Sequence, residues 1–179
     1  MELEDIAGDL VDANYATVWR DLGTVDGTLY GLWFKAANKS LVWYNAELFE
    51  EIGVEPAETW KEMISAAQTV SDYGMTPFSV GGASAWTLTD WFENIYIRSA
   101  GPQMYDQLTN HEIPWTHSSV KEALQIFKEV VGKPEWLAGG TQGTLEANHP
   151  AGIVKPFVDP PQAAMVYGAK LLAETDTPL

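Results

Sequence analysis

The stretch Tyr30–Met63, YGLWFKAANKSLVWYNAELFEEIGVEPAETWKEM, decides the fold. Leu29–Phe34 is apolar and aromatic enough for a strand, and Lys35–Ser40 is a polar crossing piece. Leu41–Tyr44 reads as a second short strand. Asn45 can accept from the free amides of a helix over Ala46–Ile52, and Gly53 closes it. Thr59-Trp60-Lys61-Glu62 has the spacing of a capping box, where hydroxyl and carboxylate each satisfy an amide of the first turn. That helix runs to Tyr73, with Trp60, Met63, Ile64, Ala67 and Val70 on its apolar side, and Gly74 ends it. Strands followed by capped helices argue for an α/β arrangement.

Upstream, a helical pattern around Tyr15, Val18, Trp19 and Leu22 stops at Gly23, and Val25-Asp26-Gly27-Thr28 is a hairpin turn. Downstream, Thr76–Val80 reads as a buried strand and Gly81–Ala85 as a flexible loop. A helix starts at Thr87 or Thr89 and ends at Gly101, with a loop from there to Thr116. Ser119-Val120-Lys121-Glu122 is a second capping box, opening a helix that closes at Gly132. Lys133–His149 is Gly-rich and carries no clear periodicity. Pro150 suits the first turn of a short helix to Val158, Asp159-Pro160-Pro161 is a stop, Gln162–Tyr167 is a strand, and Gly168 begins a turn or helix. The ending, AETDTPL, carries no domain stop signal and reads as cut.

The chain has 179 residues, 46% hydrophobic and 20% charged, which suits one globular domain with a real core. No apolar run approaches a membrane span. The start, Met-Glu-Leu-Glu-Asp, lacks the basic and apolar parts of a signal peptide. Either the protein stays inside the cell, or its targeting segment was removed or never included. The net charge of −15 repels phosphate backbones and anionic lipid surfaces, arguing against nucleic-acid or membrane partners. With no cysteine, disulfides, thiol catalysis and thiolate metal sites are excluded. Eight tryptophans are several times what a chain of this size usually carries; a single Trp is more often core than site, so only their positions can decide.

Catalysis finds little support. His111, His117 and His149 are isolated in loops without metal-ligand spacing. No nucleophile elbow, P-loop or dinucleotide fingerprint is present. Asp90 and Glu93 share a helix face, and two carboxylates could suggest a glycosidase pair, but carboxylates on one surface face are usually just solvated. No cofactor or metal is expected.

Several segments together carry a family resemblance: Gly23–Phe34 (GTVDGTLYGLWF), Lys35–Glu50 (KAANKSLVWYNAELFE), Thr59-Trp60, Gly81–Ala100 (GGASAWTLTDWFENIYIRSA), His111–Trp115 (HEIPW), Leu137–Gly140 (LAGG) and Asp159–Tyr167 (DPPQAAMVY). From Tyr15 to Ala173 the chain resembles the extracellular solute-binding proteins of ABC carbohydrate importers, of the maltose-binding type and its α-glucoside branch. The resemblance implies an α/β, periplasmic-binding-protein type II-like fold of two lobes joined by crossing strands, with sugar held between them. Residues 1–37 then correspond to the end of the first lobe and its hinge strand, and residues 38–179 to a C-terminally incomplete second lobe. A complete receptor of this type is roughly twice this length or more, so the chain is expected to be a fragment supplying part of the cleft. The family implies no enzyme activity, a sugar ligand, ABC permease partners, and a periplasmic or cell-surface location for the parent protein. One departure falls at Gly168-Ala169-Lys170, where the branch usually carries an acidic residue, Gly and another acidic residue.

Sugars need apolar ring faces stacked on aromatics and hydroxyls held by fixed polar groups. Trp86, after a Gly-rich loop and before a helix, is read as a stacking residue, with loop packing as its simpler role. Thr87 and Asp90 could hold a hydroxyl, although Thr87 could equally be only an N-cap. The resemblance puts Asn38 and Lys39 at the hinge crossing, opposite the sugar. Trp19, Trp43, Trp60 and Trp91 are read as core, and Trp115 and Trp136 stay open. Besides a sugar receptor, three readings are retained: a glycoside-processing enzyme, a self-associating module without ligand binding that pairs through an exposed cleft or sheet edge, and a fragment with no independent role.

Overall fold

The fold is described by a computed structural model covering residues 1–168. The chain divides into two compact units, Met1–Ala37 and a larger one beginning at Asn38. In the first, helices α1 (Glu4–Asn14) and α2 (Thr17–Leu22) precede a two-stranded hairpin, β1 (Thr24–Val25) and β2 (Thr28–Leu29). Asp26 and Gly27 turn the hairpin with positive φ at both positions (51° and 80°), the geometry a two-residue loop demands. Arg20 ties the unit together by donating to Glu4 at 2.6 Å and pairing with Asp12 at 3.1 Å.

Three expectations fail in this unit. The helical pattern near Tyr15 is split, because Tyr15 is extended and separates α2 from a helix already formed at Glu4. The strand expected over Leu29–Phe34 stops at Leu29. Gly23 O accepts both Tyr30 N (2.8 Å) and Gly31 N (3.0 Å), bending the chain away from its partner strand. Trp19, read as core, is 37% exposed and lies 6.3 Å from Trp33. Its six-residue helix has no buried residue.

The second unit contains β3 (Leu41–Tyr44), α3 (Ala46–Ile52), α4 (Trp60–Asp72), β4 (Phe78–Ser79), α5 (Trp86–Ala100), α6 (Pro102–Thr109), α7 (Ser118–Val131), α8 (Gly140–Glu146), α9 (His149–Ile153) and β5 (Met165–Gly168). The sheet order is β3-β5-β4, with β5 antiparallel to β3 and parallel to β4. The caps of α3 and α4 fall where the sequence puts them. Asn45 Oδ1 accepts from Leu48 N at 2.8 Å, Gly53 is left-handed at φ 68°, and Thr59 and Glu62 form the full capping box.

An aromatic cluster fills the core. Phe78 meets Trp91 edge-on at 6.0 Å and Trp136 at 6.3 Å, while Trp91 meets Tyr167 at 4.6 Å and Trp60 at 6.4 Å. Each such pair adds about 1 kcal/mol beyond area burial. Trp136 is fully buried, whereas Trp115 is exposed. Across the outer face of α4 and α7, Trp60 Nε1 donates to Glu129 at 2.7 Å.

The remaining differences concern local chemistry. The segment from Gly101 to Thr116, expected as a loop, holds α6 with Pro102 in its first turn. Helix α7 begins at Ser118, not behind Ser119: the His117 ring accepts from Ser119 N, and the Ser119 hydroxyl turns to Tyr96 OH at 2.9 Å. The Gly-rich segment contains α8. The helix expected from Pro150 to Val158 ends at Ile153 and gives way to a 3₁₀ turn, Lys155–Phe157, where Pro156 has no amide to donate. Both expected sheet strands there are shorter than read. Gly168, expected to begin a turn or helix, is instead the last residue of β5, opposite Leu41, and the rest of that expected element lies outside the described residues.

The capping box makes an acid-dependent contribution to stability. Glu62 is held below its ordinary carboxyl value by the amides of Glu58 and Thr59. A depressed carboxyl stabilises fully above its unfolded value and loses that contribution as pH falls through the folded one. Thr59→Ala is expected to cost about 1 kcal/mol in urea unfolding at pH 7. Glu62→Gln should flatten the loss of stability between neutral and acid pH, and an unchanged acid slope would contradict the assignment.

Candidate functional site

Residues Trp86, Asp90, Asn94 and Arg98 follow one another at four-residue steps, so they form a stripe along α5. The stripe starts from an unusual loop. Ala85 precedes α5 with φ 62° and makes no side-chain cap. Behind it, Gly81 and Gly152 approach backbone to backbone: a Cβ on Gly152 would lie 2.5 Å from Gly81 N, and one on Gly81 would lie 2.5 Å from Asn148 O. Asn148 caps α9 by accepting from Ala151 N at 2.9 Å. This close approach brings His149, the first residue of α9, against Trp86.

The resulting cluster combines an aromatic surface with a neutralised ion pair. Lys39 Nζ stands 2.9 Å from both carboxylate oxygens of Asp90. The same ammonium lies 4.8 Å from the centre of the Trp86 ring, a cation–π distance. His149 is 4.7 Å from Trp86, centroid to centroid, with the rings inclined at 46°. The indole is 39% exposed. Burial pushes the His149 imidazole below its ordinary value; Asp90 opposes that and Lys39 adds to it. Farther along the stripe, Tyr167 OH donates to the backbone oxygen of Asp90 at 3.3 Å, and burial raises the Tyr167 phenol. Arg98 Nε donates to Asn94 Oδ1 at 2.8 Å. At this end of the stripe α5 borders a cavity of about 260 Å³, lined by Asn94 and Arg98 together with Tyr44, Trp60, Trp91 and Tyr167.

Of the residues read from sequence, Lys39, Trp86 and Asp90 come together. Thr87 does not act as an N-cap, since α5 begins one residue before it. Its hydroxyl donates to Gly81 O at 2.8 Å and ties the helix to the loop. Asn38 is exposed and uses its side-chain oxygen to accept from Ser40 N at 2.8 Å. His149 was missed because its neighbour Trp86 is far away in sequence. Asn94 and Arg98 did carry a signal, the four-residue spacing from Trp86. No group of three or more His, Cys, Asp or Glu side chains suited to a metal occurs among the described residues.

Comparison with known proteins points one way. The family described as bacterial extracellular solute-binding protein matches residues 2–148. The osmoprotective compounds-binding protein GgtB of Synechocystis sp. is 41% identical over 82% of this chain, and the alpha-glucosides-binding periplasmic protein AglE of Rhizobium meliloti is 31% identical over 89%. The chain spans 36% and 37% of the lengths of these two relatives. A solved chitin oligosaccharide binding protein superposes with a TM-score of 0.80 at 24% identity, over 97% of this chain and 42% of its own, and so shares the α/β fold. These relatives are named as binding proteins, not enzymes.

The electrostatics of the cluster can be read at His149. Its depressed value means that the neutral ring belongs to the folded state. The associated stability is complete above the unfolded value of about 6.5 and is lost as pH falls toward the folded value. In an NMR titration, Asp90→Asn should lower the His149 midpoint further and Lys39→Met should raise it. Shifts of the opposite sign would show that the two charges do not act on this ring.

Proposed function

The chain belongs to the bacterial extracellular solute-binding protein family, and from that premise we propose that it contributes to capturing a glucoside or oligosaccharide for an ABC permease. The observation that carries this reading is the half-open Trp86 beside the Lys39–Asp90 pair. An indole face suits the apolar side of a sugar ring, and an internally neutralised pair offers donors and acceptors to hydroxyls without favouring an ionic ligand. Lys39, Trp86 and Asp90 are the proposed contacts. Thr87 supports them by fixing the loop, and Asn38 shapes the approach to Lys39. Osmoprotective compounds are the other ligand class suggested by the 41% identical relative.

In this reading residues 1–37 belong to the first lobe and hinge, and residues 38–179 to the second lobe. Ligand binding biases a closed arrangement of the complete protein, outside the cytoplasm, for delivery to the permease. The chain performs no chemistry of its own. Calorimetric titration with maltose and trehalose tests the site: Trp86→Ala is expected to weaken any observed binding about tenfold or more, equivalent to at least 1.4 kcal/mol. Undiminished affinity in that variant would sink the assignment.

Self-association is a second proposal, favoured by the free edge of β3. Among the described residues β3 pairs only with β5, and Val42 on it is exposed beside the 260 Å³ cavity. An open strand edge next to an apolar groove invites pairing with another copy. Sedimentation should show a concentration-dependent dimer that Val42→Lys shifts to monomer. A wild-type chain that stays monomeric at high concentration would rule this out.

A further inference from the structure

The contact between His149 and Trp86 goes beyond the general reading of a sugar site. We infer that His149 is a specificity-determining residue, which meets a ligand ring stacked on Trp86 and makes its binding depend on pH. The inference rests on the sugar-site reading above. Its basis is placement: with the two ring centres 4.7 Å apart, a pyranose lying on the indole comes within reach of the imidazole edge. That placement is fixed by backbone. The Gly81–Gly152 approach and the Asn148 cap leave α9 little freedom to carry the ring elsewhere.

A neutral imidazole offers one donor and one acceptor, whereas its protonated form only donates. The neutral ring can therefore read a pair of hydroxyls that the cation cannot. Charged groups face it from two elements, Asp90 from α5 and Lys39 from the segment before β3; α9 contributes none of its own. Protonation adds a second cation beside Lys39 and competes with it for Asp90. A neutral sugar on Trp86 also displaces water from His149, and burial favours the uncharged ring. Binding and proton release are then linked, so affinity falls as pH drops, by at most about tenfold per pH unit.

The test uses the full chain, with maltose and trehalose as probes, at pH 5 to 8. Wild-type affinity is expected to fall toward acid pH with a midpoint matching His149, and His149→Gln, which keeps a neutral donor and acceptor, should remove the dependence. A ligand-free measurement runs beside it: tryptophan emission, taken as the difference from Trp86→Phe, should be quenched as His149 protonates and lose that titration in His149→Gln. Binding whose pH profile survives His149→Gln overturns this inference and leaves the sugar site standing. Loss of the ligand-free titration in wild type also overturns it, because the two rings would not be in contact. Normal ligand-free quenching without binding of either sugar at any pH overturns the sugar-site reading on which it rests.

Discussion

The larger unit depends on the pairing of β5 between β3 and β4. The last strand of the described chain is the central strand of the sheet, joined antiparallel to the first strand of its unit and parallel to the second. Asn45 N donates to Ala164 O, and Ala164 N and Met165 N donate to Thr76 O and Pro77 O, which stitches the early and late segments of this unit together. Tyr167 on this strand packs at a tilt against Trp91 and donates to Asp90 O, so the same strand also fixes the α5 stripe. Neither the sheet nor the Trp86 cluster has its support until Met165–Gly168 is in place. Long-range closure of this kind slows folding, because distant segments must meet before their contacts repay the lost chain entropy.

Local chemistry was legible wherever one residue type has one dominant role. Asn45, Gly53, Thr59 with Glu62, and Asp26-Gly27 each announce a cap or turn, and each does what it announces. Legibility failed where a nearby residue competed for the same hydrogen bond. Ser119 is engaged by Tyr96 and His117, so the helix is capped by His117, two residues earlier than its sequence suggests. The strand at Leu29 ends because Gly23 captures the following amides, a tertiary bond that no pattern in Leu29–Phe34 records.

The site was legible in the same partial way. Trp86 and Asp90 lie four apart on one helix, and periodicity alone places them on one face. Lys39 reaches that face from a segment without regular structure, and family resemblance was needed to suggest it. His149 arrives through two glycines, Gly81 and Gly152, whose importance lies in side chains they do not have. The surrounding charge does not specify this arrangement. A net charge of −15 sets a general repulsion of anions, while the Lys39–Asp90 pair makes the local surface nearly neutral.

The Gly81–Gly152 approach bears on how such a site could change over generations. Any side chain at either position collides with main chain, so the frame that carries Trp86 and His149 tolerates little variation. Side chains carried on the frame, including the exposed Lys39 and the half-buried His149, face no such restriction. Selection for a new ligand is therefore channelled into exchanging rim side chains at constant geometry, and recognition can drift while the scaffold stands still.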